Sequence, residues 1–247
     1  MQKVFTSNSY NDALFNGSSF RRLIHLSRFY WVRNAIIKNR FKFKNILEFG
    51  CGDGKLINFL PKGYSNYYGL DCNWEGTLDN AKEKYKNFEN IEFKEINDYK
   101  DIVIDEEKKY DLVICMETLE HVFPELLCIY LIKLAQLTKG YILITVPNEK
   151  GIFFLFKRLI KTQFSHDNYT LIETLNIFLG KTNNVERNHH KGFDYDHLIY
   201  DLRKFFEIVK VEGAPFGRFL PKFLCFNICI IAKPLDLTKK NLKSFLS

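Results

Sequence analysis

The stretch Ile46-Leu-Glu-Phe-Gly-Cys-Gly-Asp-Gly54 limits what this chain can become more than any other. An apolar run leads into Glu48, and glycines then occupy every second position. Glycine reaches backbone dihedrals that a side chain disfavours, and it lets a ligand approach the main chain closely. Followed by a helix, such a loop aims unsatisfied N–H groups at whatever lies in the crevice beside it. A lone glycine cluster would fit an ordinary strand-to-helix turn, so the surrounding pattern has to decide.

That pattern alternates between strands and helices with the rhythm of a parallel sheet. Strands are expected at residues 46–49, 67–70, 91–95, 112–115 and 141–146, the last stopped by Pro147, with two more at 207–212 and 226–233. Helices are expected at 55–60, closed by Pro61 and Gly63, then along the face Trp74, Leu78, Ala81 and Tyr85, and at 124–137 and 197–206. Two segments stand outside the rhythm. Residues 19–40 predict an amphipathic helix that offers Leu23, Leu26, Tyr30, Ile36 and Ile37 for burial. Residues 149–190 are too long for a plain connection and include an aromatic-rich, basic helix candidate at 152–164. The expected organisation is an N-terminal helical cap at 1–43, one α/β domain at 44–233 carrying a cap insertion at about 149–190, and a tail at 234–247.

A chain of 247 residues, 46% hydrophobic with 24 Phe, has ample material for one large core. Its net charge of +7 would suit nucleic acid or anionic lipid, but no block of five basic residues occurs, so a solvated surface is the simpler reading. Cys51, Cys72, Cys115, Cys128, Cys225 and Cys229 form no CxxC pair and no zinc-like cluster, which predicts a reduced, cytoplasmic protein without a metal site. The longest apolar runs are too short to span a bilayer, which leaves peripheral membrane contact as the only membrane role.

Open α/β sheets bind ligands outside the carboxyl ends of their strands. Here those ends carry Glu48 with the glycines, Asp71, Asn97 and Asp98, and the 116–121 segment. Asp71 falls at the end of the second strand, 23 residues after Glu48, where a carboxylate accepts hydrogen bonds from both hydroxyls of a ribose. Asn97 or Asp98, after the third strand, suits an adenine amine. A nicotinamide-dependent dehydrogenase shares this logic, but its G-x-G-x-x-G fingerprint is absent.

Taken together, Ile46–Gly54, Tyr68-Gly-Leu-Asp71, Tyr110-Asp-Leu-Val-Ile-Cys-Met-Glu-Thr-Leu-Glu-His-Val122 and Tyr141-Ile-Leu-Ile-Thr-Val-Pro-Asn148 resemble the class I S-adenosylmethionine-dependent methyltransferases. The resemblance covers roughly residues 44–233 and is most similar to small-molecule members acting on quinones and sugars. It implies an α/β, Rossmann-like fold, a seven-stranded and mostly parallel sheet with helices on both faces, a final antiparallel strand and helical cap elements. It implies S-adenosyl-L-methionine as cofactor, with its methionine end held by Glu48, Gly50, Cys51, Gly52 and Gly54. The ribose would lie on Asp71 beside Cys72, the adenine on Asn97 or Asp98, and Met116 and Glu117 would flank cofactor and substrate opening.

Methyl transfer to a hydroxyl requires a general base, for which His121 and His190 are the candidates. The expected activity is O-methylation of a small acceptor, a sugar or phosphate-linked metabolite for surface polysaccharide, with no nucleic-acid partner. Quinone precursors are the second reading. Small-RNA 2′-O-methyltransferases of the same superfamily bind a divalent metal through a segment like Glu117, Glu120 and His121 plus a distant His, which makes RNA the third. A degenerate fold kept as a binding partner is the non-enzymatic alternative. The oligomeric state has no sequence signature here.

Overall fold

The computed structural model describes residues 19–105, 107–151, 154–155, 169–187, 191–217 and 219–236. Seven strands form one sheet: β1 (Asn45–Phe49), β2 (Asn66–Asp71), β3 (Ile91–Glu95), β4 (Tyr110–Met116), β5 (Thr138–Pro147), β6 (Phe206–Ala214) and β7 (Asn227–Pro234). Their order is β3-β2-β1-β4-β5-β7-β6. All neighbours from β3 to β5 pair in parallel, and β7 runs antiparallel between β5 and β6. The order reverses direction between β1 and β4, and their carboxyl ends therefore splay open a crevice.

The middle strands are buried on both faces, which is why they read as apolar runs rather than alternations. Along β4, Leu112, Ile114 and Met116 face one core with α1 (Ser19–Asn39), while Val113 and Cys115 face the other with α3 (Pro124–Leu137) and α5 (Tyr195–Leu202). Helix α1 buries Phe29, Val32, Ala35 and Ile36. Of its expected burial face Ile36 is buried and Leu26 half-buried, whereas Leu23, Tyr30 and Ile37 are exposed and Phe29, Val32 and Ala35 take their place. Pro124 opens α3 at a position where the missing N–H has no intrahelical acceptor to lose, and Leu127, Leu131, Leu134 and Ala135 form its inner stripe.

Three helix expectations are corrected. The helix expected at 55–60 is a single 3-10 turn, Lys55–Asn58, since Gly54 offers no side-chain cap and Pro61 blocks extension. Trp74 lies in its own 3-10 turn and is exposed, so the buried face of α2 (Thr77–Tyr85) is Leu78, Ala81 and Tyr85 only. The 197–206 helix starts earlier, where Asp194 caps the Asp196 N–H, and ends at Leu202, freeing Phe206 to begin β6.

The insertion after β5 is described in part. Phe154, Ile177 and Val185 form a small core of their own around α4 (Leu171–Phe178). Most of the 152–164 helix candidate lies outside the described residues. The root of the insertion is fastened to α5: Lys150 Nζ and the Thr182 hydroxyl both donate to the buried Asp194 carboxylate, at 2.5 and 2.8 Å. Burial alone would raise the Asp194 acid, but these bonds and the Asp196 N–H hold it below the usual carboxylate range. No described helix is long and apolar enough to cross a membrane.

Candidate active site

The turn after β1 is folded by its glycines. Gly50, Gly52 and Gly54 all have positive φ, at 79°, 50° and 67°, a region that side chains disfavour. Gly50 and Cys51 N–H both donate to the Leu70 carbonyl at the end of β2, at 2.7 and 3.2 Å. A Cβ on Gly50 would collide with the Thr118 side chain, which draws the turn hard against the loop after β4. At Gly52 an added Cβ would meet nothing within 4 Å. The backbone there borders open space in which a ligand can run along the main chain.

Two carboxylates frame that space. Asp71, the last residue of β2, accepts the Gly52 N–H at 2.8 Å and the Asn73 N–H at 2.9 Å. These bonds point the carboxylate at the turn and leave further lone pairs on both oxygens. Glu48 is 2% exposed and takes a hydrogen bond from the Tyr67 hydroxyl. Burial pushes its acid up to about 8, aided by Asp53 and Asp71 and opposed by Tyr67 and Arg28. A cationic ligand end would ionise it again, which is the chemistry the α-amino group and sulfonium of S-adenosylmethionine bring. The cradle fits that cofactor.

The other expected cofactor residues line the same edge. Cys51 is buried and Cys72 exposed beside Asp71. Asn97 is exposed after β3, while the Asp98 side chain caps the 3-10 turn Tyr99–Asp101 by accepting the Lys100 N–H at 3.0 Å. Met116 is buried at the end of β4.

Beyond Met116 the chain forms the opposite lip. Glu117 has φ 51°, a left-handed conformation costly for a side-chain-bearing residue. It is held there by the Thr145 hydroxyl at 3.0 Å and by Arg28 of α1 at 3.5 Å. Glu120 is 0% exposed, and neither carboxyl oxygen has a hydrogen-bond partner among the described residues. Burial, then the neighbouring Glu117 charge, raises its acid well above the carboxylate range against the pull of Arg28. Arg187 from the insertion donates to the Glu120 carbonyl at 3.1 Å and lies over the Phe193 ring. His121 ends the 3-10 turn Leu119–His121, with its ring edge-on to Trp74 at 6.0 Å between centroids. His190 lies outside the described residues. Among the described residues no group of three His, Cys, Asp or Glu side chains could hold a metal ion.

The sequence reading missed Arg28, gave Thr145 only as part of the 141–148 run, and counted Arg187 only as part of the basic content. Nothing local marks Arg28 or Arg187, because each acts on an element far from it along the chain.

A family profile described as "Methyltransferase domain" matches residues 21–202, more than half of the chain. The chain belongs to this family, and its sheet and crevice are those of the class I, S-adenosylmethionine-dependent methyltransferases. No curated protein matches it. Among solved structures it is similar to an S-adenosylmethionine-dependent methyltransferase from Clostridium acetobutylicum ATCC 824, with 12% identity, TM-score 0.60, and 85% of this chain and 91% of that one covered. It is also similar to the PH0226 protein from Pyrococcus horikoshii OT3, with 17% identity, TM-score 0.61, and 90% and 93% covered. A third is magnesium protoporphyrin IX methyltransferase from Synechocystis PCC 6803 with bound SAH, at 15% identity, TM-score 0.54, and 89% and 90% covered. At these identities the likeness is one of fold.

Proposed function

We propose that this enzyme methylates a hydroxyl of a small, polar acceptor, a sugar or a phosphate-linked metabolite, for surface polysaccharide. The observation that carries the reading is Glu120, a wholly buried carboxyl after β4 whose oxygens have no hydrogen-bond partner among the described residues, beside Glu117 and Arg28. A buried polar group without a partner is costly. A hydroxylated acceptor relieves that cost by offering both donors and acceptors, and the nearby guanidinium of Arg28 suits an anionic substituent such as phosphate.

S-adenosylmethionine, when bound, supplies an activated methyl and its leaving group. The remaining work falls to the chain. Glu48 and the 50–54 turn hold the methionine end, Asp71 the ribose, and Asn97 or Asp98 the adenine edge. Met116 and Glu117 flank the opening. Glu117, Glu120 and Arg28 align the acceptor oxygen, an alignment that lowers the barrier by pre-ordering the reactants. His121 takes the acceptor proton as the new oxygen–carbon bond forms, with His190 as the second candidate base. We place the enzyme in a reducing, cytoplasmic setting, supported by six free cysteines.

The test is a mass-spectrometric screen for a gain of one methylene across sugars, sugar phosphates, quinone precursors and short RNAs. Turnover is expected on a hydroxylated sugar or phosphate ester, with Glu120→Ala raising KM for that acceptor at unchanged cofactor affinity. Methylation at nitrogen or carbon, or of RNA alone, overturns the reading.

A further inference from the structure

We propose that a basic cavity at the amino ends of β4 and β5 is a second binding site, for a small phosphate-bearing ligand. The cavity measures about 550 Å³, and Arg40, Phe41, Lys42, Asp111, Lys139 and Tyr141 line it. Small-molecule sites commonly have this size. It lies on the edge of the sheet opposite the crevice, since Asp111 precedes Met116 by roughly 16 Å along β4.

A bulge opens one wall. The pairing of β4 with β5 shifts register between Tyr110 and Leu112, so Lys139 and Gly140 together face Asp111. A Cβ on Gly140 would fall 2.1 Å from the Asp111 carbonyl oxygen, and only glycine lets the backbones come so close. The Asp111 carboxylate accepts the Asn45 N–H at 2.8 Å and pairs with Lys139 at 3.0 Å. The end of α1 supplies the other wall. Phe41 N–H donates to the Ile36 carbonyl and Arg40 N–H to the Ile37 carbonyl, at 3.2 and 3.3 Å, a Schellman closure. Asn39 Nδ2 takes the Ala35 carbonyl at 2.8 Å. Arg40 therefore stands at φ 52°, where such a closure usually has glycine. These helix carbonyls already have donors, so the Arg40 guanidinium is not needed to close the helix.

Charge and shape select the ligand. Three cations, Arg40, Lys42 and Lys139, share the cavity with one carboxylate, Asp111. Lys139 is engaged by that carboxylate. The Arg40 and Lys42 side chains are exposed and have no hydrogen bond or ion pair among the described residues. A guanidinium forks two phosphate oxygens, and an ammonium adds a point charge. Beside them the half-buried Tyr141 stacks on Phe41 with ring centroids 4.2 Å apart, an apolar wall for the organic part of an ester. The site is independent of the methyltransferase reading of the crevice, with which it shares no residue.

The experiment is calorimetric titration of the full chain with phenyl phosphate and with inorganic phosphate, each with and without saturating S-adenosylhomocysteine. Phenyl phosphate is expected to bind at least about threefold more tightly than inorganic phosphate, whether or not the nucleoside is present. Arg40→Gly is expected to weaken it about tenfold or more and Lys42→Gln about threefold, with S-adenosylhomocysteine bound as in wild type. Glycine suits the left-handed position and Lys42 is exposed, so neither change threatens the fold. No binding of the ester, equal binding to wild type and both variants, or displacement by S-adenosylhomocysteine overturns the inference and leaves the reading of the crevice standing. Inorganic phosphate held as tightly as the ester overturns it in favour of the free ion. A short single-stranded RNA held more tightly than the ester, and lost in Arg40→Gly, overturns it in favour of nucleic acid. A chain that binds the ester but not S-adenosylhomocysteine supports this site and tells against the crevice alone.

Discussion

On the cofactor side of the crevice, the ties of the two carboxylates are short in sequence. The Gly52 N–H meets Asp71 and the Tyr67 hydroxyl meets Glu48, each across 19 residues, through one strand-turn-strand unit. On the acceptor side, Arg28 reaches Glu117 from the N-terminal helix, and Arg187 reaches Glu120 across 67 residues. The first lip is backbone geometry with its polar groups satisfied. The second is assembled side chains with a carboxyl that has no hydrogen-bond partner among the described residues. A site that must grip an invariant cofactor is built from local, over-determined contacts. The lip we propose for the acceptor is built from elements distant in sequence.

The comparison breaks most visibly at Gly50. Its φ is 79°, and the Thr118 side chain already fills the place a Cβ would take. Gly50→Val is therefore expected to abolish S-adenosylhomocysteine binding, a loss of at least about a hundredfold by calorimetry. Retained binding would mean the turn does not form the cradle.

A second prediction sharpens the cofactor side through pH. The Glu48 acid stands at about 8 in the fold against 4.5 when free, so the folded chain binds this proton more tightly than the unfolded one. That contribution to stability is present at acid pH and is lost as pH rises from about 4.5 through about 8, at roughly 1.4 kcal/mol per unit. Thermal melts of wild type and Glu48→Gln should therefore show wild type losing ground steadily over this window, with Glu48→Gln also binding the cofactor more weakly. Parallel pH profiles would contradict the burial argument.

Asp194 tests the fastening of the insertion. Asp194→Ala leaves Lys150 without its buried partner and is expected to cost about 2–4 kcal/mol in chemical denaturation. Cofactor affinity should be unchanged, because the cradle lies elsewhere.

The smallest effect is expected at Arg28, which meets Glu117 directly and Glu48 only through its charge. Arg28→Met should raise acceptor KM about tenfold while leaving S-adenosylhomocysteine affinity within a factor of about two. An equal loss on both would merge the lips into one unit.

This division also explains what the sequence made legible. The 46–54 run, Asp71 and the strand rhythm were readable because period, turn chemistry and spacing are local signals. The sheet followed from them, including the strand ends that place Glu48, Asp71 and Met116 along one edge. Arg28 carried no signal, since its role depends on how α1 crosses the sheet. Trp74 kept the helical spacing of Leu78 and Ala81, yet Asn73 and Gly76, both with positive φ, set it apart in a turn of its own. Phe206 looked like the continuation of a helix, but its partner Pro234 on β7 lies near the far end of the chain.

The most direct measurement of the central claim is a calorimetric titration of S-adenosylhomocysteine into wild type and Asp71→Ala. One site per chain in wild type, weakened about a hundredfold or more in the variant, is the expected result. No binding to wild type, or equal binding to both proteins, would contradict the assignment of the crevice as the cofactor site.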